Sequence, residues 1–483
     1  MSFGHMFDNP ARRVIRPGAG SSVTVLGLAF LIVSAIAPVR AGDLPPPPDV
    51  SEGRLATPDP LPQPLGLDDV LSLPLDSQYG VLAARSRYEQ RVAERQLTQA
   101  DNRPQLGVNG RLRYVEPGDV AVENDQHDDH QAGLSLRQKL FDFGRQQDRE
   151  AAAEARLDGE RLALLGEEKR QRLALLRAYF DVLLADQRYQ AINERMAILF
   201  IRYDRARDRQ ELGQTSDYDL ARFERDYQEI LLERARADAE RRLTRRHLAE
   251  LAGRPDQLPR ELREPRLDAL FEREVPAVGD LIETALAEDL HLNALRRKYD
   301  GSESDLATAR SGNLPSLHAE VNADYYTREG ATRDPFRAGV YLEFPLFRGG
   351  ARNAEIGAAQ AERMAVVAEM AEREAAVRRY ATELVEMIRL QQSVGLSRMQ
   401  AMENYADLNF TRNQTLYQME KATDLGDAMA EMSMAKFERM KTTYDLATRW
   451  AEYALLTNRS IEAVLLGQPE DNSGEDQVTE ETS

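Results

Sequence analysis

Two short stretches of the chain alternate apolar and polar residues with a period of two, the spacing that gives a strand one apolar and one polar face. In the first, Leu106, Val108, Gly110, Leu112 and Tyr114 interleave with Gln105, Gly107, Asn109, Arg111 and Arg113, and the chain returns through Ala132, Leu134 and Leu136. In the second, Leu317, Ala319, Val321, Ala323 and Tyr325 interleave with His318, Glu320, Asn322 and Asp324, and the return runs through Ala338, Val340, Leu342, Phe344 and Leu346. Each pair predicts a β-hairpin, over about 104–142 and about 315–348. At about ten residues per strand, each hairpin has the length that a tilted barrel strand needs to cross a bilayer.

The remainder has the three-four spacing of helices. Residues 144 to about 210 contain no proline and carry the seam Leu173, Leu176, Phe180, Leu183, continued by Ile192, Met196, Leu199 and Tyr203. The matching stretch, 351 to about 417, carries Val377, Ala381, Leu384 and Ile388. Heptad-like seams make helices pack as coiled coils, and a run of that length at 1.5 Å per residue is a rod of roughly 90–100 Å. Each rod is expected to break at a turn, Leu212-Gly213-Gln214-Thr215-Ser216 and Met419-Glu420-Lys421-Ala422-Thr423, and to return over 217–253 and 424 to about 466. Phe437, Met440, Tyr444 and Ala447 form the seam of the last helix.

The two halves are copies of one another. Arg103-Pro104-Gln105-Leu106 is echoed by Leu314-Pro315-Ser316-Leu317, Ala132-Gly133-Leu134-Ser135-Leu136 by Ala338-Gly339-Val340-Tyr341-Leu342, and Leu140-Phe141-Asp142-Phe143-Gly144 by Leu346-Phe347-Arg348-Gly349-Gly350. The first repeat is placed at 66–260 and the second at 261–467, each a helix, a hairpin and long helices. Before them, Arg12, Arg13 and Arg16 precede the apolar run from Val23 to Ile36 and the small-residue pattern Val39-Arg40-Ala41, which predicts a secretory signal peptide over 1–41. Residues 42–65, with four consecutive prolines from Pro45 to Pro48, are expected to be an extended and poorly packed linker. The polar, acidic residues 468–483 are expected to be a disordered tail.

Composition narrows the class. A formal net charge of -18 argues against nucleic acid as a partner. Charged residues at 30% with a single tryptophan suit long helices better than a compact enzyme core. There is no cysteine, so stability comes from packing and no lipidated cysteine anchors the chain. Six histidines without a convergent nucleophile and base leave an exported hydrolase little support. No cofactor is expected.

Four strands cannot close a membrane barrel, and open sheet edges are not tolerated in lipid. The smallest closed barrels have about eight strands, so copies must share one; the strands alone do not choose between two copies and three.

Paired hairpins, each followed by a long helix that turns and returns, resemble the TolC family of outer-membrane efflux proteins, or outer membrane factors. The resemblance covers roughly Gly66 to Gly467, and its most specific pieces are Leu314-Pro315-Ser316-Leu317, Phe344-Pro345-Leu346-Phe347-Arg348-Gly349-Gly350 and Gly213-Gln214-Thr215-Ser216-Asp217-Tyr218-Asp219. It implies an α+β membrane protein: a homotrimer whose chains each contribute four strands to a shared twelve-stranded β-barrel in the outer membrane, with a coiled-coil helical barrel in the periplasm. It implies a passive exit duct for a tripartite efflux pump or type I secretion system, opened by a periplasmic membrane-fusion adaptor and served by an inner-membrane transporter of RND or ABC type.

The resemblance also places the sites. Gly213, Gln214 and Thr215 at the first tip, and Glu420 and Lys421 at the second, are candidate adaptor contacts; Asp219, Tyr417, Asp424 and Asp427 are candidate periplasmic gate residues. Glu420 stands where the family often has glycine, and Ala422 where some members have a basic residue. An aspartate ring would make a cation-binding constriction, while aspartate in a first helical turn also simply complements the helix dipole. Asp125, His127, Asp128, Asp129 and His130 cluster between the strands of the first hairpin; these residue types bind metals and equally populate a solvated loop. The late methionines, Met399, Met402, Met419, Met429, Met432, Met434 and Met440, suit a soft-metal route or ordinary helix packing. Phe141 and Phe347 close the returning strands as rim aromatics, and Gly349 and Gly350 turn the chain from sheet to rod. The competing reading is a soluble periplasmic coiled-coil scaffold or adaptor, which has no need of four amphipathic strands of membrane length.

Overall fold

The computed structural model describes residues 60–76, 78–116, 127–327, 333–419 and 425–467. The expected signal peptide, most of the proline-rich segment and the acidic tail lie outside the described residues. Compactness divides the chain into a sheet unit (104–140 and 317–341) and a helical unit built from the segments around them. This division runs across the sequence duplication, because both repeats contribute to both units.

The sheet unit contains β1 (Gln105–Arg111), β2 (Gln131–Phe141), β3 (Ser316–Tyr326) and β4 (Phe336–Glu343), hydrogen-bonded in that order. In the antiparallel β1–β2 pair, Leu106 faces Leu136, Val108 faces Leu134 and Gly110 faces Ala132, so the apolar positions of both strands share one face. The first strand is shorter than its alternation predicts. The same register nevertheless continues beyond it, through Asp129 N–H to Arg113 O at 2.9 Å and Val115 N–H to His127 O at 2.9 Å. The second return also stops early, at Glu343 and not at Leu346. Phe344-Pro345 follows, and proline has no N–H to continue a ladder.

The sheet leaves apolar side chains in the open while burying a carboxylate. Val108 is 82% and Leu342 68% exposed on the apolar face, whereas Asp324 is 8% exposed on the polar one. Gln131 Nε2 donates to Asp324 Oδ1 at 2.9 Å, and Arg337 Nη2 and Tyr326 OH donate to Oδ2 at 3.0 and 3.2 Å. Gly133 is what lets Asp324 sit there, since a Cβ at that position would lie 2.0 Å from its Oδ1. Asp129 is held the same way by Arg113 (Nε to Oδ2, 2.9 Å) and Arg333 (Nη1 to Oδ1, 2.5 Å).

The helical unit runs α1 (Leu67–Leu71), α2 (Tyr79–Ala100), α3 (Arg145–Glu211), α4 (Asp217–Leu251), α5 (Val278–Glu288), α6 (Leu290–Arg310), α7 (Ala351–Leu390), α8 (Leu396–Gln418), α9 (Gly426–Leu456) and α10 (Ile461–Leu466). The first rod, α3, is unbroken over 67 residues, about 100 Å at 1.5 Å per residue. It packs against α2, α4, α6 and α9. Its seam residues Leu173, Leu176, Phe180 and Leu183 are all buried, as are Val377, Ala381, Leu384 and Ile388 of α7. No described helix is long and apolar enough to cross a membrane.

Both rods start from the same backbone device. Phe143 and Gly144 have φ of 57° and 88°; Gly349 and Gly350 have 59° and 88°. Two successive left-handed residues thus precede each rod, and the duplication is visible in dihedral angles as well as in sequence. The ends of the returning helices match too. Arg254 N–H bonds to Ala249 O and Gly253 N–H to Glu250 O; Arg459 N–H bonds to Ala454 O and Asn458 N–H to Leu455 O. Each is a Schellman cap with a left-handed residue, Gly253 at φ 69° and Asn458 at φ 57°.

Three expectations change. The second rod is not uniform: a π-turn, Gln391–Gly395, separates α7 from α8. One extra residue in the turn carries Gln392 to Leu270 O and Arg273 O, at 2.8 and 2.9 Å. The last helix stops at Leu456, capped at Asn458, and does not run through to Leu466. The end of the proline-rich segment is packed, with Leu61 8% and Leu65 1% exposed. Leu65 pairs with Leu262 in a parallel bridge, and the buried Tyr179 hydroxyl donates to both Leu65 O (3.2 Å) and Arg263 O.

Replacing Gly350 with alanine should destabilise the chain by about 1–2 kcal/mol, because a Cβ is strained at that φ; a thermal or urea melt of the variant checks this. The two arginines, Arg333 foremost, hold the Asp129 carboxyl down at about 2. A carboxylate with a lowered pKa stabilises above its ordinary range and loses that stabilisation as the pH falls. The first hairpin loop should therefore resist pepsin at pH 3 and yield near pH 2, whereas Asp129→Asn should be cut at both.

Candidate functional site at the helix tips

At the first tip α3 ends in another Schellman cap, with Gly213 N–H on Gln210 O at 2.9 Å and Gln214 N–H on Arg209 O at 2.8 Å. Gly213 is the left-handed residue, at φ 71°. The chain then enters α4 through a reciprocal capping interaction. Asp219 N–H donates to Ser216 Oγ at 3.1 Å, and that hydroxyl donates to Asp219 Oδ2 at 2.7 Å. The turn holding Gly213, Gln214 and Thr215 is therefore locked by its own hydrogen bonds and presents a fixed outline. Leu212 and Tyr218, 71% and 78% exposed, flank it. They were not among the sequence candidates, although their position on either side of the cap marks them as the apolar part of any contact made there.

The second tip is described in part. Tyr417 is 55% exposed at the end of α8, whereas Glu420, Lys421 and Asp424 lie outside the described residues. Asp427 sits in the first turn of α9 and forms an ion pair with Arg202 on α3. The two aspartates of the first described turns thus have different partners. Asp219 caps its own helix and lies 3.8 Å from Arg222 of the same helix, while Asp427 crosses to another.

That crossing is the lowest rung of a graded interface. Moving away from the tip, α3 and α9 are joined by Ser433 Oγ to Glu194 and by Gln187 Nε2 to Ser433 O at 3.2 Å. Next comes the Phe180–Tyr444 stack, with centroids 4.4 Å apart, and then Arg177 paired with Glu452. Tyr444, Ala447 and Trp450 belong to the continuous apolar core. The α3–α4 interface differs, keeping apolar and aromatic contacts far along its length. Ile192, Ile230 and Ala237 form a satellite core, Tyr203 stacks on Tyr227 at 5.6 Å, and Arg234 bonds Asn193 and Tyr189 at 2.7 and 2.8 Å. Near the tip, α9 is held to α3 by polar contacts, of which the exposed Arg202–Asp427 pair stabilises by about 0–1 kcal/mol; α4 is held by packing.

Among the described residues no three His, Cys, Asp or Glu side chains converge as a metal site would require. In the first hairpin loop His127 stacks on Tyr114 at 5.2 Å and Asp129 is occupied by arginines; Asp125 lies outside the described residues. Of the late methionines, Met399 and Met440 are buried as packing residues, while Met419, Met429 and Met432 are exposed. Phe141 and Phe347 are exposed, at 55% and 87%.

Comparison with known proteins agrees with this architecture. The family described as outer membrane efflux protein matches residues 70–254. The outer membrane protein TolC of Vibrio cholerae is 25% identical over 186 residues, 37% of this chain and 42% of that relative; the chain thus aligns with less than half of its length. A membrane protein from Pseudomonas aeruginosa superposes with a TM-score of 0.66 at 17% identity, over 81% of this chain and 90% of that one. The CmeC outer membrane channel of Campylobacter jejuni gives 0.65 at 15% identity, over 81% and 85%. At these identities the structural likenesses establish the fold, with its four antiparallel strands and long helices.

Breaking the lowest rung, by Asp427→Ala or Arg202→Ala, should speed amide hydrogen exchange several-fold in the first turns of α9 while leaving the melting temperature within a few degrees. Ser216→Ala should do the reverse, costing about 1 kcal/mol through the lost cap with little change in exchange in α9.

Proposed function

We propose that the chain, whose residues 70–254 match the outer membrane efflux protein family, is a member of that family and a passive exit duct of the outer membrane. In this reading three copies pool their strands into one twelve-stranded barrel, and the helices form a tunnel in the periplasm. The observation that carries it is a sheet with apolar side chains such as Val108 and Leu342 exposed on one face and the charged group around Asp324 protected on the other. Lipid is the solvent that such an outer face requires, and an aqueous lumen suits the inner one. The soluble-scaffold reading would leave that apolar face in water.

Cargo meets no reacting group; the protein does no bond chemistry and needs no cofactor. The tips hold the closed state, and the polar rungs between α3 and α9 are its fastening. A periplasmic adaptor seated on the turn of Gly213, Gln214 and Thr215, with Leu212 and Tyr218 as its apolar edge and Glu420 and Lys421 at the second tip, competes with those rungs. α9 then peels from its tip end, carrying Asp424 and Asp427 away from the axis, while its packed end near Trp450 stays fixed. Asp219 and Tyr417 complete the constriction. Energy comes from an inner-membrane transporter, of RND or ABC type, in an efflux pump or type I secretion system.

Cell fractionation and bilayer recording test this together. The mature chain should pellet with outer membranes, require detergent for extraction and give discrete channel events; recovery in the soluble periplasm without channel activity would refute the duct.

A further inference from the structure

A cavity of about 260 Å³ lies in the helical unit between α9 and the segment 264–268. Tyr444 lines it and is 3% exposed, and its hydroxyl has no hydrogen-bond partner among the described residues. The ring stacks on Phe180 with centroids 4.4 Å apart and sits in the apolar core, which fixes where the O–H points. Burial, and after it the Glu264 carboxylate that lines the same cavity, pushes this phenol above its ordinary range, so the group keeps a proton to donate. A buried hydroxyl left unpaired is costly, and the duct mechanism gives this one no use.

The charges around the cavity divide into engaged and unengaged. Glu264 pairs with Lys436 at 3.7 Å, Asp268 with Arg439 at 3.0 Å, and Arg439 also with Glu403 at 3.4 Å. Arg266 stands exposed on the lining and has no hydrogen bond or ion pair among the described residues. The two unengaged groups, a phenol O–H and a guanidinium fork, are therefore both donors. Pro265, Leu267 and Met440 add apolar wall. The volume is that of about nine waters, but a buried water needs two to four polar partners, which hydrocarbon walls do not give.

We propose that this cavity binds a small aromatic monocarboxylate, its ring against Pro265, Leu267 and Met440 and its carboxylate accepting from the Tyr444 hydroxyl and the Arg266 guanidinium. A carboxylate matches both donors, since a planar guanidinium takes it in a charge-assisted pair and its second oxygen remains free for the phenol. A neutral ring of the same size satisfies the walls but wastes the guanidinium, and an ammonium meets two donors with a third. The bound molecule ties the segment 264–268 to α9. In the duct α9 is the helix that moves, so an occupied cavity holds its packed end more firmly; the binding itself does not rest on that reading.

Benzoate is the probe, titrated calorimetrically into the full mature chain in detergent with the heat of empty micelles subtracted. It should bind with a Kd of roughly 1 mM, the range open to so small a ligand, and benzamide, which keeps the ring without the charge, about fivefold or more weaker. Tyr444→Phe keeps the Phe180 stack and deletes only the unpaired hydroxyl. That variant should melt no lower than the unaltered chain and bind benzoate about threefold or more weaker. Arg266→Gln, at an exposed position that folding does not need, should weaken benzoate about fivefold or more. Saturating benzoate should also slow amide exchange about twofold or more in the segment 264–268 and around Tyr444, and leave α4 unchanged. No binding at about 20 mM, well above the expected Kd, would leave the cavity to water and overturn the proposal. So would equal affinity for benzamide, or benzoate binding indifferent to both substitutions.

Discussion

A sheet with charge on its protected face and hydrocarbon on its open face cannot be stable alone in water, and with two free edges it cannot be stable alone in lipid. The first limit comes from the hydrophobic effect; the second comes from the several kcal/mol that each unsatisfied backbone group costs in a bilayer. β1 and β4 are the two edges; in the proposed duct, lipid against the apolar face meets the first limit and pairing with the edges of other copies meets the second. In that reading oligomerisation is a condition of the fold and not an addition to it. The Asp324 and Asp129 networks serve the same arrangement by binding the two hairpins to each other, through Gln131 and Arg333 respectively.

The helical unit meets a different requirement, to be firm at one end and releasable at the other. Firmness comes from the large apolar core, which gathers residues from Leu61 to Leu465 and pins the strap around Leu65 under Tyr179. Release comes from the change of chemistry along α3 and α9, from the Phe180–Tyr444 stack to the Arg202–Asp427 pair. Buried apolar contact must be broken against the cost of exposing area, while exposed ion pairs exchange readily with water and salt. The first rod, α3, is continuous, whereas the second is interrupted at Gln391–Gly395, where Gln392 ties it to Leu270 and Arg273.

The elements were legible where one period dominates. Alternation located all four strands, and the three-four seams located both rods, because burial of a single face decides those segments. The left-handed turns were legible at Gly349 and Gly350, where glycine announces them, but not at Phe143, whose φ of 57° only the structure reveals. The stop at Asn458 was hidden for the same reason: an asparagine adopts the conformation that glycine supplies at the first copy. The packing of Leu61 and Leu65 escaped composition, since four prolines upstream say nothing about two leucines that find a core. At the site, the turn at Gly213 and the helix start before Asp219 were legible as the break in the first rod, whereas the partner of Asp427, Arg202, lies 225 residues away, and pairing at that separation has no local signature.

The pooling of strands is tested most directly by joining the edges themselves, and the chain has no cysteine of its own to interfere. Single cysteines placed in turn along β1 and along β4 of the same chain, oxidised in intact outer membranes, should give covalent dimers and trimers at some pairing register and no larger species. Cross-links that form only within one chain, or no cross-link at any register, would contradict the account.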